Sequence, residues 1–182
     1  FVRQQLGAVQ QNANRLLRLV NELMDFRKAE TGNMKLYPGK HDIIAFLEEI
    51  YVSVRDACIH KNITLSFIQH TDAIAVYFDR EQMEKVFINL LTNAIRFTPQ
   101  NGTITLEIKD AEKEVIVAVT DNGRGIAPEY LDKVFTNFFQ VADHGVQNTG
   151  YGIGLALART IISLHHGSIV VESVPATDAQ DG

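Results

Sequence analysis

The chain has 182 residues, of which 46% are hydrophobic and 21% are charged, and its formal net charge is −5 at pH 7. These values are typical of a globular protein with one good core and leave room for an appended helical element. Because no basic stripe with interleaved aromatic residues occurs, the sequence predicts no nucleic-acid partner.

Cysteine content and hydropathy bear on where the chain works. Cys58 is the single cysteine, and its apolar helical context indicates core packing in a reducing compartment. No apolar run approaches the roughly 20 residues that span a bilayer, so we expect a cytoplasmic segment without membrane contact. The start at Phe1, inside a helical pattern, predicts a fragment of a longer protein.

The first 30 residues predict one long helix with an apolar seam. Alternating steps of four and three between apolar residues are typical of a coiled coil or helical bundle. Leu17 and Met24 add a second stripe, so we favour a bundle between two chains over a helix packed on its own domain. The helix should end near Thr31-Gly32-Asn33, where Gly and Asn can adopt left-handed conformations. The seam consists of Val2, Leu6, Val9, Ala13, Leu16, Val20 and Leu23.

The next segment predicts an extended piece, a helix and two strands. The helix begins near Asp42, and its apolar face is expected to cover a sheet. β-branched and aromatic residues, which favour strands, cluster in two places after it. The expected ranges are 34–37 for the extended piece and 63–69 and 73–78 for the strands.

Asp79 is the predicted N-cap of the next helix, and Gln82, three residues later, would complete a capping box. Further elements are a hairpin of strands 103–109 and 114–120, a short helix from Pro128 to about Lys133, a loop over 136–149, a helix from Ile153 to about His165 and a strand over 168–172. This order predicts an α+β fold, a two-layer α/β sandwich with helices on one face of a mixed sheet.

The first motif with chemical meaning lies on the helix after Asp79. Asn89, Asn93 and Arg96 are spaced by four and three, so they share one helix face. Magnesium bound with a nucleotide needs only one or two protein oxygens, which Asn93 can supply. Asn89 can bond phosphate or a metal-bound water, Arg96 can meet phosphate, and Phe97 can offer a flat face to a base. The alternative is a helix with ordinary surface amides.

The second motif contains Asp121, which follows a strand and precedes Gly123 and Gly125. Its carboxylate can accept a hydrogen bond from an exocyclic amine while the glycines let the backbone approach a ring, which would select adenine over guanine. Asp-Asn-Gly is also a common hairpin turn. Residues 126–128 do not continue an alternating strand, however, which argues against a hairpin.

The third motif, Gly150-Tyr151-Gly152-Ile153-Gly154-Leu155, directly precedes a predicted helix. Backbone amides and the positive helix end can therefore face phosphate. The motif lacks the Gly-Lys-Ser/Thr end of a P-loop and the preceding strand of a Rossmann turn. A glycine-rich loop without a ligand remains the alternative.

In this order and spacing, the three motifs resemble the N, G1 and G2 boxes of the ATP-binding domain of sensor histidine kinases, within the gyrase and mismatch-repair ATPase superfamily. Phe135, Phe138 and Phe139 resemble its F box. Residues 15–28 resemble the second helix of that family's dimerisation and phosphoacceptor hairpin, as in hybrid two-component sensors. The resemblance implies a hairpin part over 1–31 and an ATP-binding catalytic domain over 32–182, with its last strand missing.

The resemblance also implies cofactors, partners and roles. ATP and Mg would be bound, with Asn93 holding Mg and with Asn89 and Arg96 as the catalytic residues at the phosphates. The γ-phosphoryl group would pass to a histidine and then to an aspartate of a response regulator or receiver domain. The full-length protein would form a homodimer through the N-terminal helix, and it could be anchored in the inner membrane. The implied nucleotide contacts are Asn89, Asn93, Arg96, Phe97, Asp121, Gly123, Gly125, Ile126, Phe135, Gly150, Gly152, Gly154 and Leu155.

Asn89 stands where hydrolysing members of the superfamily carry a glutamate base. An amide cannot take a proton from water, so we expect transfer to a better nucleophile. None of the six histidines has the acceptor context His-Glu/Asp-x-Arg/Lys, so this chain is not expected to phosphorylate itself.

Many relatives place an arginine around the F box, whereas no Lys or Arg occurs here from Val134 through Ala158. This missing charge keeps open the alternative of a regulatory pseudokinase that signals through its dimer helix. Another alternative is a relative that phosphorylates serine on a partner protein, but the N-terminal bundle helix argues against it.

Overall fold

The computed structural model describes residues 2–141 and 152–175, and none of the helices in these two ranges is long and apolar enough to span a membrane. The elements in chain order are α1 (Val2–Glu30), β1 (Gly39–Asp42), α2 (Ile43–His60), β2 (Thr64–Gln69), β3 (Ala75–Phe78), α3 (Arg80–Phe97), β4 (Thr103–Asp110), β5 (Val115–Asp121), α4 (Pro128–Leu131) and α5 (Gly154–Leu164).

The strands of the described chain form two sheets. β1 pairs antiparallel with β3. The larger sheet has the order β2-β4-β5. β2 runs parallel to β4, with Thr64 opposite Thr103, and β4 runs antiparallel to β5, with Ile104 opposite Asp121. The predicted mixed sheet and the predicted β4–β5 hairpin are both confirmed.

The burial pattern along β4 alternates and so distinguishes the two faces of the larger sheet. Ile104, Leu106 and Ile108 are at most 1% exposed. Glu107 projects from the opposite face, where it pairs with His70 and Lys109. Helices α2, α3 and α5 contribute most of the same buried cluster, so the helices cover one face of the sheet. The two-layer sandwich predicted from the sequence is confirmed.

Carboxylate caps fix where α2 and α3 begin. Asp42 Oδ1 accepts from the Ile44 N–H at 3.0 Å, and Asp79 Oδ1 accepts from the Gln82 N–H at 3.1 Å. The predicted capping box is wrong in its second half, because the Asp79 N–H donates to His165 Nε2 at 3.0 Å and not to the Gln82 side chain. The end of α5 packs beside the start of α3 and supplies this acceptor.

The last helix, α5, ends at Leu164, one residue before the predicted end near His165, and a left-handed residue follows it. The left-handed residue is His166, with φ of 61°, and the Gly167 N–H donates to the Ile162 carbonyl at 3.0 Å. This backbone bond closes the helix end as a C-terminal cap.

The sequence missed β1, because Gly39–Asp42 has no apolar alternation. The extended piece expected at 34–37 forms no strand, and the Tyr37 N–H donates to Asp79 Oδ2 at 2.7 Å. Pro38 has no N–H to give to a ladder.

The strand expected over 168–172 is also wrong, because those residues form no strand in the described chain. Val170 is 79% exposed. Alternation reports strand propensity, whereas a strand is held by a hydrogen-bonded ladder to a neighbour.

Candidate functional site

Burial of one side of α3 determines which residues its other side presents. Leu91 is fully buried and Ala94 is 4% exposed, so the helix cannot rotate without opening the core. Asn89, Asn93 and Arg96 are half-buried beside this apolar stripe. The predicted shared face of α3 therefore lies at the edge of the core, where it can contact a ligand.

The start of α5 lies directly against Asn89. A Cβ atom on Gly154 would be 2.6 Å from Asn89 Cγ, closer than real Cβ contacts come, so a larger residue would displace the amide. The first N–H groups of a helix have no partner within that helix and carry partial positive charge. The structure thus brings together the first and third sequence motifs.

The loop after β5 lies against the other end of α3. The Gly123 N–H donates to Asp121 Oδ1 at 2.9 Å. A Cβ atom on Gly123 would be 2.7 Å from the Phe97 carbonyl oxygen, so the loop and the helix end touch through their backbones. The first and second motifs are therefore also adjacent.

The ring of Phe97 contacts two guanidinium groups. The Cζ atom of Arg124 is 4.7 Å from the ring centroid, and that of Arg96 is 5.7 Å away. Sequence reasoning did not select Arg124, because a single arginine between two glycines carries no spacing signal. Its position at the junction of α3 and the Asp121 loop became visible only in the fold.

The loop that carries Asp121 is fixed on both sides. Asn122 Oδ1 accepts from the Thr103 N–H at 2.7 Å, and the Ile126 N–H donates to Ser173 Oγ at 2.8 Å. Gly125 has φ of +71°, and a Cβ atom there would be 2.8 Å from Pro175 Cα. Gly125 is therefore required both by backbone conformation and by space.

The third motif also touches the segment that resembles an F box. The Phe138 N–H donates to the Gly152 carbonyl at 2.8 Å. Gly152 has φ of +69°, and a Cβ atom there would be 2.6 Å from the Phe139 carbonyl oxygen. Phe138 itself has φ of 61°, unusual for a residue with a side chain. The backbones of the two segments are therefore closely packed.

The remaining predicted contacts lie around α5. The Arg159 guanidinium is 5.7 Å from the centroid of the Phe135 ring, and Arg159 is the first Lys or Arg after the stretch 134–158 that contains neither. Leu155 is half-buried in the first turn of α5. Gly150 and the neighbouring Tyr151 lie outside the described residues, as does most of the predicted loop over 136–149.

Three comparisons with known proteins agree with this arrangement. Residues 78–180 match the sequence model of the histidine kinase-, DNA gyrase B- and HSP90-like ATPase family. Histidine kinase P4 of Formosa agariphila is 41% identical over 172 residues, which cover 92% of this chain and 13% of that protein.

Two solved structures are similar over most of the chain. Histidine kinase AdeS of Acinetobacter baumannii gives a TM-score of 0.71 at 25% identity, covering 87% of this chain and 72% of that chain. Histidine kinase ThkA, solved in complex with the response regulator protein TrrA, gives 0.67 at 27% identity, covering 85% and 43%.

The sandwich and its glycine-bordered site define a domain of the nucleotide-using ATPase class. The chain belongs to the histidine kinase-, DNA gyrase B- and HSP90-like ATPase family. Its similar relatives are sensor histidine kinases, so the resemblance seen in the sequence is confirmed. The chain spans less than half the length of the curated relatives that it matches.

Proposed function

We propose that this chain is the ATP-binding catalytic part of a two-component sensor histidine kinase. It would transfer the γ-phosphoryl group of ATP to a histidine outside these residues, for relay to an aspartate of a response regulator. Residues 1–31 would belong to the dimerisation hairpin and residues 32–182 to the catalytic domain. The observation that carries the proposal is the meeting of three separate sequence motifs along α3, at Gly154 and at Gly123.

The phosphate end of the nucleotide would lie where α5 begins. The Asn89 amide and the N–H groups of the first turn of α5, which have no partner within that helix, would donate to phosphate oxygens, joined by the guanidinium of Arg96. Because Asn89 is an amide and cannot act as a base, water would not be activated, and an imidazole nucleophile would be favoured.

Magnesium would be held by Asn93. Within the described ranges, no three His, Cys, Asp or Glu side chains form a group that could hold a metal ion. One half-buried amide oxygen fits an ion that takes most of its ligands from phosphate and water. When bound, the ion would neutralise charge on the phosphate oxygens.

The base end would lie at the loop after β5. The Gly123 N–H occupies Asp121 Oδ1, and among the described residues no hydrogen-bond donor reaches Oδ2. Oδ2 could therefore accept from the exocyclic amine of adenine. At Gly123 the loop and the end of α3 are in contact through their backbones.

Partners follow from the relatives and from α1. ThkA was solved with a response regulator, which supports a receiver domain as the partner of this chain. Exposed apolar residues on α1 support a homodimer in the full-length protein. The absence of a spanning helix from the described chain is consistent with a cytoplasmic catalytic part, whether or not its parent is anchored in the inner membrane.

Calorimetric titration with Mg-ATP tests the pocket. We expect the parent chain to bind and the changes Asn93→Ala and Asp121→Ala each to weaken binding by at least about tenfold, as expected when a charged or metal-bound partner is lost. The loss caused by Asn93→Ala should shrink when magnesium is removed, whereas that caused by Asp121→Ala should persist.

Asn12→Ala and Asp72→Ala are matched controls, because both positions are exposed and lie outside the site. Equal losses in these controls, or no binding by the parent, would contradict the proposed pocket. With binding established, a separate hairpin that bears an acceptor histidine should gain acid-labile, alkali-stable phosphate. Binding without such transfer would instead identify a regulatory nucleotide-binding module.

A further inference from the structure

Lys61 follows the last residue of α2 and makes three hydrogen bonds to the end of α3. Its Nζ atom donates to the carbonyl oxygens of Ile95 at 2.7 Å, Arg96 at 2.9 Å and Thr98 at 2.7 Å. An ammonium group has three N–H donors, so these carbonyls satisfy all of them.

The three carbonyls lie where a helix needs outside partners. α3 ends at Phe97, and the last carbonyls of a helix have no donor within it and carry partial negative charge. Thr98 is only 1% exposed, so water has little access to this residue, and the three bonds of Lys61 are partly buried. Without Lys61, partly buried carbonyls would lose a donor, which is costly for backbone groups.

The base of Lys61 is itself held in place. Its N–H donates to the Cys58 carbonyl at 3.1 Å, and the Ile63 N–H donates to the same carbonyl at 2.8 Å. Cys58 is 1% exposed in the core. Lys61 therefore joins the end of α2 to the end of α3 through a fixed backbone.

The clamped turn is also the turn that carries the site. Arg96 belongs to it, and its neighbour Phe97 presents the carbonyl against which Gly123 packs. The Phe97 ring supports Arg124, in the loop that contains Asp121. A small shift of this turn would move the phosphate-facing arginine and the base-facing loop together.

We propose that Lys61 is a positioning residue for nucleotide binding, which sets Arg96 and the Asp121 loop through the last turn of α3. The inference rests on the proposed nucleotide site. Lys61 itself needs no contact with the nucleotide, because its three donors are used by the carbonyls.

Lys61→Met keeps the aliphatic stem and removes the ammonium group. We expect Mg-ATP to bind about tenfold more weakly, because hydrogen bonds to a charged donor are lost. Binding is measured by calorimetry at a temperature well below the thermal midpoint of unfolding. Hydrogen exchange should quicken at the Phe97 and Thr98 amides and stay unchanged in the first turns of α3.

Lys85→Met is the matched control, because Lys85 is also a half-buried lysine that bonds across to a second helix. It lies near the other end of α3, so its loss should lower stability without changing nucleotide affinity. A charge-restoring experiment adds a second control. In a Cys58→Ala chain, Lys61→Cys treated with 2-bromoethylamine regains an ammonium and should regain affinity, whereas treatment with iodoacetamide should not.

The outcomes separate this inference from the proposed function. If the parent binds Mg-ATP and Lys61→Met binds equally well, Lys61 is only a stability residue and the inference is overturned while the site stands. If the parent does not bind, the proposed site fails and the inference fails with it. Weaker binding by Lys61→Met, with rescue by aminoethylation, supports both.

Discussion

Asp79 shows how one buried carboxylate can connect distant parts of the chain. It is 5% exposed, and its oxygens accept from the Tyr37 and Gln82 N–H groups. Its own N–H donates to His165 Nε2, so this nitrogen is an acceptor. His165 Nδ1 lies 2.8 Å from the Ile161 carbonyl and must carry the proton. The linker after α1, the start of α3 and the end of α5 therefore meet at Asp79.

Cys58 gives a pH prediction at the residue scale. Burial raises the pKa of its thiol above the ordinary value. A group whose pKa is higher in the folded than in the unfolded protein stabilises the fold. This contribution is fully present below the unfolded pKa and is lost as pH rises through the folded pKa. From about pH 8.5, the free energy of unfolding should fall, by at most about 1.4 kcal/mol per pH unit.

Urea unfolding of the parent and of Cys58→Ala between pH 8 and pH 10 measures this effect. The variant lacks the titrating thiol, so its stability should fall less steeply across that window. Equal slopes for the two chains would show that the thiol does not contribute.

At the scale of elements, α1 has two different regions. Its earlier turns expose large apolar side chains, including Val9 at 65% and Leu16 at 61%. Near its end, Phe26 is 6% exposed and packs edge-on against Phe138, with ring centroids 5.9 Å apart. One end of α1 is thus docked on the domain, next to the segment that borders Gly152.

An ion pair accompanies this ring contact. Lys85 Nζ lies 2.8 Å from Asp25 Oδ2 and 3.1 Å from Glu81 Oε1. Burial lowers the pKa of Lys85, but hydrogen bonds to Asp25 and Glu81 raise it by more, so the net pKa is raised. Lys85 stays charged at neutral pH and joins α1 to α3.

Phe26→Ala should weaken this docking. Removal of a buried aromatic side chain is expected to lower the free energy of unfolding by about 3 kcal/mol, measured by urea titration. Lys28→Ala is the control on the same helix, because Lys28 is exposed and lies outside both apolar stripes, and its effect should stay within about 0.5 kcal/mol. Similar losses in the two variants would mean that Phe26 does not anchor α1.

The sequence predicted the elements whose own residues determine them. The period of α3 and the cap at Asp79 are local features, so its start was predicted correctly. β1 has no such local pattern, and its Gly-Lys-His-Asp residues form a strand through their pairing with β3. A strand that depends on its neighbour cannot be found by periodicity alone.

The candidate site was predictable to a similar extent. Asn89, Gly154, Asp121 and Gly123 belong to motifs with fixed spacing, and the fold brings the motifs together. Lys61 left no signal, because its partners are backbone carbonyls more than thirty residues away, which any residue types could supply. Contacts between side chains and remote backbone are set by the fold, not by a motif.

At the scale of the whole molecule, α1 predicts self-association. Sedimentation equilibrium of the chain should show dimers that dissociate on dilution, because Leu16 and Val20 are 61% and 47% exposed along the seam. Val20→Asp should favour the monomer, because dimer formation would bury an unpaired carboxylate at the interface.

Val52→Asp is the control for this experiment, because Val52 is 58% exposed on α2, away from the seam. It should leave the association unchanged. A parent that is monomeric at every concentration, or a control that dissociates as readily as Val20→Asp, would contradict an interface through α1.

The two contacts along α3 give the site a length. Asn89 meets Gly154, and Phe97, eight residues later, meets Gly123. Eight residues of α-helix rise roughly 12 Å, so the two ends of the site are about that far apart along the axis. Inorganic phosphate is too short to contact both ends at once, whereas a base linked to a chain of phosphates has the reach to do so. In the proposed site, α3 would therefore select ligands by their length as well as by their charge.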